Sequence, residues 1–457
     1  MTQEQAISTA IALDTPRQRF LTLISLAWPL IISFTVGSLM RLVDTWMVGK
    51  LGKEEVAAIG PAGMYAWTFM GFFMGIVTAN NIFGSQSHGR GDFRQCSHFT
   101  WQAFYVGIMG GMALMALLWP GAQWLFSVSG HEPEVMEREV IYFRVLLLGC
   151  PANLAAVALA TFFDGTGRPW ISAGTGALSN LVNVAANYAL IYGNWGFPKL
   201  GIEGAALGTV LSLYAWLLML LAVYLTPFQR RHYGTAEKPA ILRESLRKLV
   251  RVGAPMGLTW MLDMISWSIF VHFLIGRFGK IALAANTICF TVLHFSFMPT
   301  VGMSVAVTVL TGRLLGQDRK ADIHKLIVMA LKVGVGYMGT LGLIFGVFRE
   351  QVIRMFGSDP DIIRVGGPML ICAAIFQGFD AVSIIVSACL KGAGDTLWPA
   401  VMQISLGLLL FLPSAYGLSL LLGPTGAWVG GTIFICTLSF FYYMRYRSGK
   451  WMHKKLF

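Results

Sequence analysis

Charge is scarce where this chain is most apolar, and the exceptions are few: Arg41, Asp44, Asp263, Lys332 and Asp380. A charged side chain at the centre of a bilayer costs about 2.5 to 3.5 kcal/mol on insertion scales, so an acid held there faces a cavity, meets a partner or carries a proton. Three carboxylates so placed suit one kind of chemistry, the reversible capture of a proton or a small cation. Asp263 and Asp380 come from different apolar runs and have no base beside them in their own run. Facing one cavity, they would hold a Na+ ion between them or share a proton, because like charges in a low dielectric resist joint ionisation. Asp44 differs, since Arg41 stands one helical turn before it. The residues alone leave open whether Asp44 takes the coupling ion or pairs with that guanidinium, which would modulate it by favouring the ionised carboxylate. Lys332 is near enough to the start of its run to reach the interface.

Softer polar and aromatic residues surround these acids. Asn153 follows Pro151 at a point where a bent helix would free carbonyls, and Asn183 and Asn187 lie one turn apart on one face. Trp260, Met264 and Trp267 neighbour Asp263, while Phe376 and Phe379 neighbour Asp380. An acid among aromatic faces and adaptable methionines is a receptor for a lipophilic organic cation. The competing reading makes the amides helix–helix contacts and the rings packing or interfacial-belt residues.

The elements that must position these groups follow from composition. Of 457 residues, 56% are hydrophobic and 12% charged, and the mean hydropathy is +0.64. A soluble domain carries about 25% charge, so most of this chain is expected in lipid, where only helices or closed barrels satisfy their backbone. Windows of membrane-spanning length fall at 21–48, 58–86, 98–120, 139–163, 170–193, 203–226, 249–275, 281–312, 326–348, 365–390, 397–421 and 425–443. The expected fold is an all-α polytopic membrane protein with twelve spans. Pro61, Pro151, Pro255, Pro299 and Pro368 mark expected bends.

The net charge of +12 is spread over span edges with no basic stripe, which argues against nucleic acid. The six cysteines show no ligand or redox spacing, and no H-E-x-x-H, Gly-x-Ser-x-Gly or Walker pattern is present, so neither an enzyme nor a cofactor is expected. The excess of Lys and Arg on alternate loops sets both termini in the cytoplasm of a plasma membrane, expected to be a prokaryotic inner membrane.

The chain is also doubled. FLTLISLAWPLIISFTVGSLMRLVDTWMVGKLG returns in plan as KLVRVGAPMGLTWMLDMISWSIFVHFLIGRFGK, FFDGTGRPW as CLKGAGDTLWP, and GIEGAALGT as GPTGAWVGG, at an offset of about 227 residues. The acids do not repeat: Asp44 lies fifteen residues after Pro29, and Asp263 eight after Pro255. The expected organisation is a six-helix lobe over 1–226, a cytoplasmic linker over 227–248, a second lobe over 249–443 and a basic tail over 444–457. The linker from about Pro239 onward reads as an amphipathic helix at the inner face. Two six-span halves related along the membrane normal predict a central cavity.

Val43-Asp44-Thr45 with MVGKLG and AAIG, the second-half AAN-x-I at 284–288, and the glycine turns at 165–167 and 392–394 together resemble the multidrug and toxic compound extrusion (MATE) transporters, over about residues 20–443. The resemblance implies a V-shaped pair of six-helix lobes exporting hydrophobic organic cations in exchange for Na+ or H+, as a monomer among membrane lipids. It is nearest the NorM-type branch, matching that branch's acids with Asp44, Asp263 and Asp380, although the acid at 263 is commonly Glu there. A DinF-type branch places an Asn-x-x-x-Asp pair where this chain has Asn183 and Asn187, and Arg41 is a departure from the family pattern. A flippase for lipid-linked saccharides is the alternative within the wider superfamily. Its anionic headgroup would call for a basic cavity, whereas these spans hold more acids than bases.

Overall fold

The computed structural model describes residues 13–127, 132–237, 242–357 and 359–454. Helix α1 (Pro16–Gly49) is followed by α2 (Lys53–Thr78), the short α3 (Asn80–Arg90), α4 (Phe93–Ser127), α5 (Pro133–Gly165), α6 (Pro169–Tyr192), α7 (Gly201–Tyr224) and the short α8 (Pro227–Tyr233). The second half continues with α9 (Arg243–Ile269), α10 (Lys280–Gly316), α11 (Lys320–Val347), the short α12 (Arg349–Arg354), α13 (Pro360–Gly392), α14 (Leu397–Leu406) and α15 (Leu412–Arg447). Two π-helical stretches, Phe270–Ile275 and Gly407–Phe411, extend α9 and join α14 to α15.

Ten segments among the described residues are long and apolar enough to cross a bilayer, which makes this a multi-pass all-α membrane protein. Two features separate that number from the twelve windows of sequence. Helix α6 has 24 residues but is rich in Ser, Thr, Gly and Asn, and lies outside the ten. Leu397–Arg447 counts as one segment of 51 residues, although Gly423 has non-helical dihedrals (φ 62, ψ −148) and Pro424 follows it. The prolines expected to mark bends at 61, 151, 255, 299 and 368 each lie inside a continuous helix. The charged residues Arg243–Lys248 are the first turns of α9 itself, so the amphipathic stretch expected from Pro239 is not a separate element. Its residues 238–241 lie outside those described.

Contacts divide the described residues into two compact units. Thr35–Met261 contains Asp44, and Met1–Phe34 with Leu262–Phe457 contains Asp263 and Asp380. The division falls inside α1 and α9 and not in the charged segment between the sequence halves.

Lipid tails give helices no hydrophobic reason to associate, so stability comes from close contact, and glycine permits the closest. In the Asp44 unit, α2 crosses the middle of α9 backbone to backbone. A Cβ on Gly75 would stand 2.1 Å from the Gly257 nitrogen, and one on Gly257 would stand 2.0 Å from the Phe72 oxygen. In the Asp263 unit, Gly302 on α10 occupies the repeat position of Gly75. A Cβ there would lie 2.8 Å from the Ile31 nitrogen of α1. The duplication is thus used twice, each time to seat a half's second long helix against the other half's first.

The interiors of both units are aromatic. Phe270, Phe411, Trp428 and Phe434 are buried in the Asp263 unit, and Phe162, Tyr224 and Tyr233 in the Asp44 unit.

The repeat is sharpest where α5 and α13 end. Gly167 and Gly394 both take positive φ (76 and 84). The same backbone bonds close each turn, Gly167 N to Asp164 O (3.0 Å) and Arg168 N to Phe163 O (2.7 Å) in one half, Gly394 N to Lys391 O (2.8 Å) and Asp395 N to Leu390 O (2.9 Å) in the other. These pairings align Asp164 with Lys391 and Arg168 with Asp395.

Candidate functional site

In the Asp44 unit the carboxylate of α1 meets the polar face of α6. Asn187 Nδ2 donates to Asp44 Oδ1 at 2.7 Å and lies 3.2 Å from Asn183 Oδ1, while Asn183 Nδ2 reaches Thr209 Oγ1 on α7 at 3.5 Å. The helical spacing of Asn183 and Asn187 stacks the two amides, and Gly208 makes room for them, since a Cβ there would stand 2.1 Å from Asn187 Oδ1. Asn187 and Asn183 are 1% and 4% exposed, and Asn187 Oδ1 has no hydrogen-bond donor among the described residues. A buried amide oxygen left unpaired costs about 1 to 3 kcal/mol. Here it faces Gly208 on α7, while the nitrogen of the same amide serves Asp44 and Asn183.

Arg41 bonds elsewhere on α1. Its guanidinium donates to Ser38 Oγ at 3.1 Å, one turn toward the helix start, and the carboxylate of Asp44 is instead held by a neutral amide. The bond from Arg41 goes to Ser38 and the bond to Asp44 comes from Asn187, so the Arg41–Asp44 pairing weighed from spacing is not among them.

In the Asp263 unit, Gln403 Nε2 on α14 donates to Asp263 Oδ1 at 3.0 Å. Tyr442 on α15 orients that amide, donating from its hydroxyl to Gln403 Oε1 at 3.2 Å, with the Pro399 carbonyl at 3.1 Å. Asp380 on α13 is bonded within its own helix, accepting from Ser383 Oγ at 3.2 Å. Both π-helical stretches begin shortly after this pair of helices supplies Asp263 and Gln403, and their rings Phe270 and Phe411 stack at 5.4 Å. Such departures from α-helical bonding gather at functional sites.

The remaining expected site residues are dispersed. Trp267 packs against Phe270, Phe290 and Phe411 with centroids 4.9 to 5.5 Å apart, and Phe376 stacks on Trp428, so both belong to the interior of the Asp263 unit. Met264 and Phe379 are exposed, and the Trp260 ring lies over Gly71 in the Asp44 unit. Asn153 Nδ2 meets Met70 Sδ at 3.3 Å. Thr209, Gln403 and Tyr442 were missed by sequence reasoning. Gln403 carried a usable signal, an amide in an otherwise apolar window, whereas Tyr442 looks like any interfacial tyrosine. Lys391 looks like a loop residue but occupies the last turn of α13.

Among the described residues no three His, Cys, Asp or Glu side chains gather as a metal site. The MatE family profile matches this sequence twice, over residues 29–189 and 255–416, repeating the internal duplication. The chain belongs to the MatE family. It is a membrane transporter of that family and not an enzyme. The Vibrio cholerae MATE transporter VcmN, in its bent form, is 18% identical with a TM-score of 0.85, covering 95% of this chain and 97% of that one. A MOP superfamily transporter from Pyrococcus furiosus, described as having a binding pocket of reversed polarity, is 21% identical with a TM-score of 0.84 over 97% and 98% of the two chains. The eukaryotic MATE transporter AtDTX14 is 16% identical with a TM-score of 0.86 over 96% and 97%. At these identities the likeness establishes the fold.

Proposed function

We propose that this MatE protein is a secondary antiporter that exports lipophilic organic cations in exchange for Na+ or H+, with twelve passes and both termini in the cytoplasm of a prokaryotic inner membrane. The observation that carries the reading is that Asp44 and Asp263 are each held by a neutral amide, from Asn187 at 2.7 Å and Gln403 at 3.0 Å. An acid clamped by arginine stays ionised, and removing either partner strands a buried charge. An acid steadied by an amide can gain and lose a cation while the amide stays in place. The ionised acids then attract an organic cation. Arrival of the coupling cation removes negative charge, weakens that attraction and promotes release, as reciprocal linkage requires. A membrane potential of 100 mV favours inward return of one positive charge by about 2.3 kcal/mol.

The NorM-type assignment is part of this proposal, supported by the joint presence of Asp44, Asp263 and Asp380. The test is transport of a fluorescent organic cation by proteoliposomes under separately imposed Na+ and H+ gradients. Asp44→Asn, Asp263→Asn and Asp380→Asn are expected to remain folded and lose gradient-driven transport. Wild-type transport by all three would overturn the proposal.

A further inference from the structure

Arg168 and Asp395 occupy the same place in the repeat, fixed by matching backbone bonds and matching left-handed glycines, yet carry opposite charges. In the Asp263 unit the protein answers that charge itself, since buried Asp395 takes Arg445 at 2.8 Å and Lys454 at 3.7 Å. In the Asp44 unit the charge is left open. The Arg168 guanidinium lies over the Phe228 ring, 4.5 Å from its centroid, and among the described residues it has neither an ion pair nor a hydrogen bond. The acids of the same end are committed elsewhere. Asp164 is buried and accepts from Ser172 Oγ, Glu237 pairs with Arg94 at 3.4 Å, and Asp92 accepts from the Gln95 backbone nitrogen at 3.1 Å.

Phe228 is held in place by the other face of α8. Gln229 and Tyr233, one turn apart, are buried, and the Tyr233 ring packs 5.0 Å from Phe162 and 5.6 Å from Phe93. Phe228 and Arg231 are left exposed. The Phe228 ring stacks on His232 at 5.7 Å, and these residues with Pro227 line an open pocket of about 410 Å³. The Arg231 guanidinium, like that of Arg168, has no ion pair or hydrogen bond among the described residues. One unanswered cation therefore stands in the pocket wall and a second lies on its ring. The pocket is also at a membrane boundary, because Leu225 and Thr226 alone separate the spanning helix α7 from α8. Leu211 and Leu218, seven residues apart on one face of α7, are exposed, and the next position in that phase is Leu225, in the turn into α8. Trp170, in the first turn of α6 beside Arg168, is exposed as well, as interfacial aromatics are.

We infer that Arg168, Phe228 and Arg231 form a binding site for the headgroup of an anionic phospholipid, with the phosphate held by the two guanidinium groups and the acyl chains lying along the exposed leucines of α7. A guanidinium matches phosphate oxygens in charge and in geometry, and basic pockets at the ends of membrane helices draw in anionic headgroups. A free phosphate would use the two cations but not the apolar stripe that leads to them. A nucleic acid would call for a longer run of phosphate contacts than two arginines supply. A lipid uses both parts, and its binding ties α8, the first element after the last long helix of the first sequence half, to the bilayer. The site shares no residue with the carboxylates of the antiport reading and does not depend on it.

The experiment uses full-length purified protein in a neutral detergent, with dioleoylphosphatidylglycerol as the probe and dioleoylphosphatidylcholine as its neutral counterpart. Bound lipid is counted by native mass spectrometry, and the thermal midpoint is followed as lipid is added. Wild type is expected to retain phosphatidylglycerol in preference to phosphatidylcholine and to melt higher in its presence, while inorganic phosphate at the same concentration leaves the midpoint unchanged. Arg168→Gln and Arg231→Gln are each expected to weaken phosphatidylglycerol binding about fivefold. Arg247→Gln removes an exposed charge from the start of α9, outside the pocket, and should stay within about twofold of wild type. Arg231 is exposed, so Arg231→Gln carries the test if the Arg168 variant fails to fold. Wild-type binding by Arg231→Gln would overturn the inference. So would an equal loss in Arg247→Gln, which would show a diffuse attraction to the whole basic face. A midpoint raised as much by inorganic phosphate as by phosphatidylglycerol would make this an anion site and exclude lipid as its occupant.

Discussion

Asn187 donates to Asp44 at 2.7 Å while its own carbonyl oxygen, buried in the same group, has no donor among the described residues. That oxygen faces Gly208 on α7, so the amide acts on Asp44 through its nitrogen. Replacing Asn187 by Ala removes both the donor to Asp44 and the spare oxygen. A hydrogen bond to a charged group contributes about 1.5 to 3 kcal/mol, which corresponds to roughly a tenfold to hundredfold loss in cation response. The expected outcome is a weaker dependence of transport on the imposed ion gradient with unchanged protein yield, measured by proteoliposome flux. An unchanged ion dependence would remove Asn187 from the mechanism.

Gly208 tests the same group without removing any of its polar atoms. A methyl there would stand 2.1 Å from Asn187 Oδ1, so Gly208→Ala must turn the amide away from its place. The expected result is a loss of ion response close to that of Asn187→Ala, and the double variant should lose little more, because the two changes act on one contact. Additive losses, read from the same flux assay, would show that Gly208 matters for helix packing and not for the amide.

The duplication, the all-helical fold and the scarcity of buried charge were legible in sequence because each depends on local periodicity and composition. Asn183 and Asn187 were legible as one face for the same reason. What could not be read was direction. Arg41 is within reach of Asp44 by spacing, yet bonds Ser38, and Trp267 and Phe376 neighbour the acids in sequence yet point into an aromatic interior. Gln403 reaches Asp263, and Tyr442 reaches Gln403, from helices some 140 and 180 residues beyond Asp263, and no helical periodicity encodes a pairing between distant segments. Where α13 ends was also out of reach, so Lys391 passed for a loop residue.

Gln403 and Tyr442 should differ in weight. Gln403→Leu leaves Asp263 without its donor and Tyr442, 2% exposed, without one of its acceptors. Tyr442→Phe removes only the hydroxyl that orients the amide. The first is expected to reduce cation-driven transport about tenfold or more and the second severalfold, by the difference between losing a charged and a neutral hydrogen bond. Equal effects, in initial rates of probe efflux, would mean that the tyrosine acts on Asp263 directly.

The crossing of α2 on α9 predicts a purely structural failure. Gly75→Leu would push a side chain into the Gly257 backbone, where a Cβ alone would come within 2.1 Å, and neither backbone can yield without separating the helices. The expected outcome is a thermal midpoint in detergent well below wild type, at a cost of about 1 to 3 kcal/mol or more. Gly37→Leu has open space at its Cβ and should remain close to wild type. Similar melting for both would refute the claim that backbone contact at Gly75 stabilises this unit.

Asp395 is 1% exposed and bonded to Arg445 at 2.8 Å, which ties the end of α15 to the turn after α13. Beyond it the chain folds back, with Trp451 buried, its indole nitrogen bonded to the Tyr446 carbonyl at 2.8 Å and its ring stacked on Tyr446 at 5.7 Å. Removing one member of a buried ion pair costs about 3 to 5 kcal/mol, because it strands the other charge, whereas removing both is far milder. Arg445→Gln is therefore expected to lower the thermal midpoint and to raise proteolysis of the carboxyl-terminal segment, both measured on purified protein. Asp395→Asn combined with Arg445→Gln should recover much of the loss, since the buried carboxylate is gone and Lys454, the other partner, is exposed enough for water to solvate its charge. If the double variant is as unstable as the single one, the pair holds this segment by shape and hydrogen bonding, and its charge contributes little.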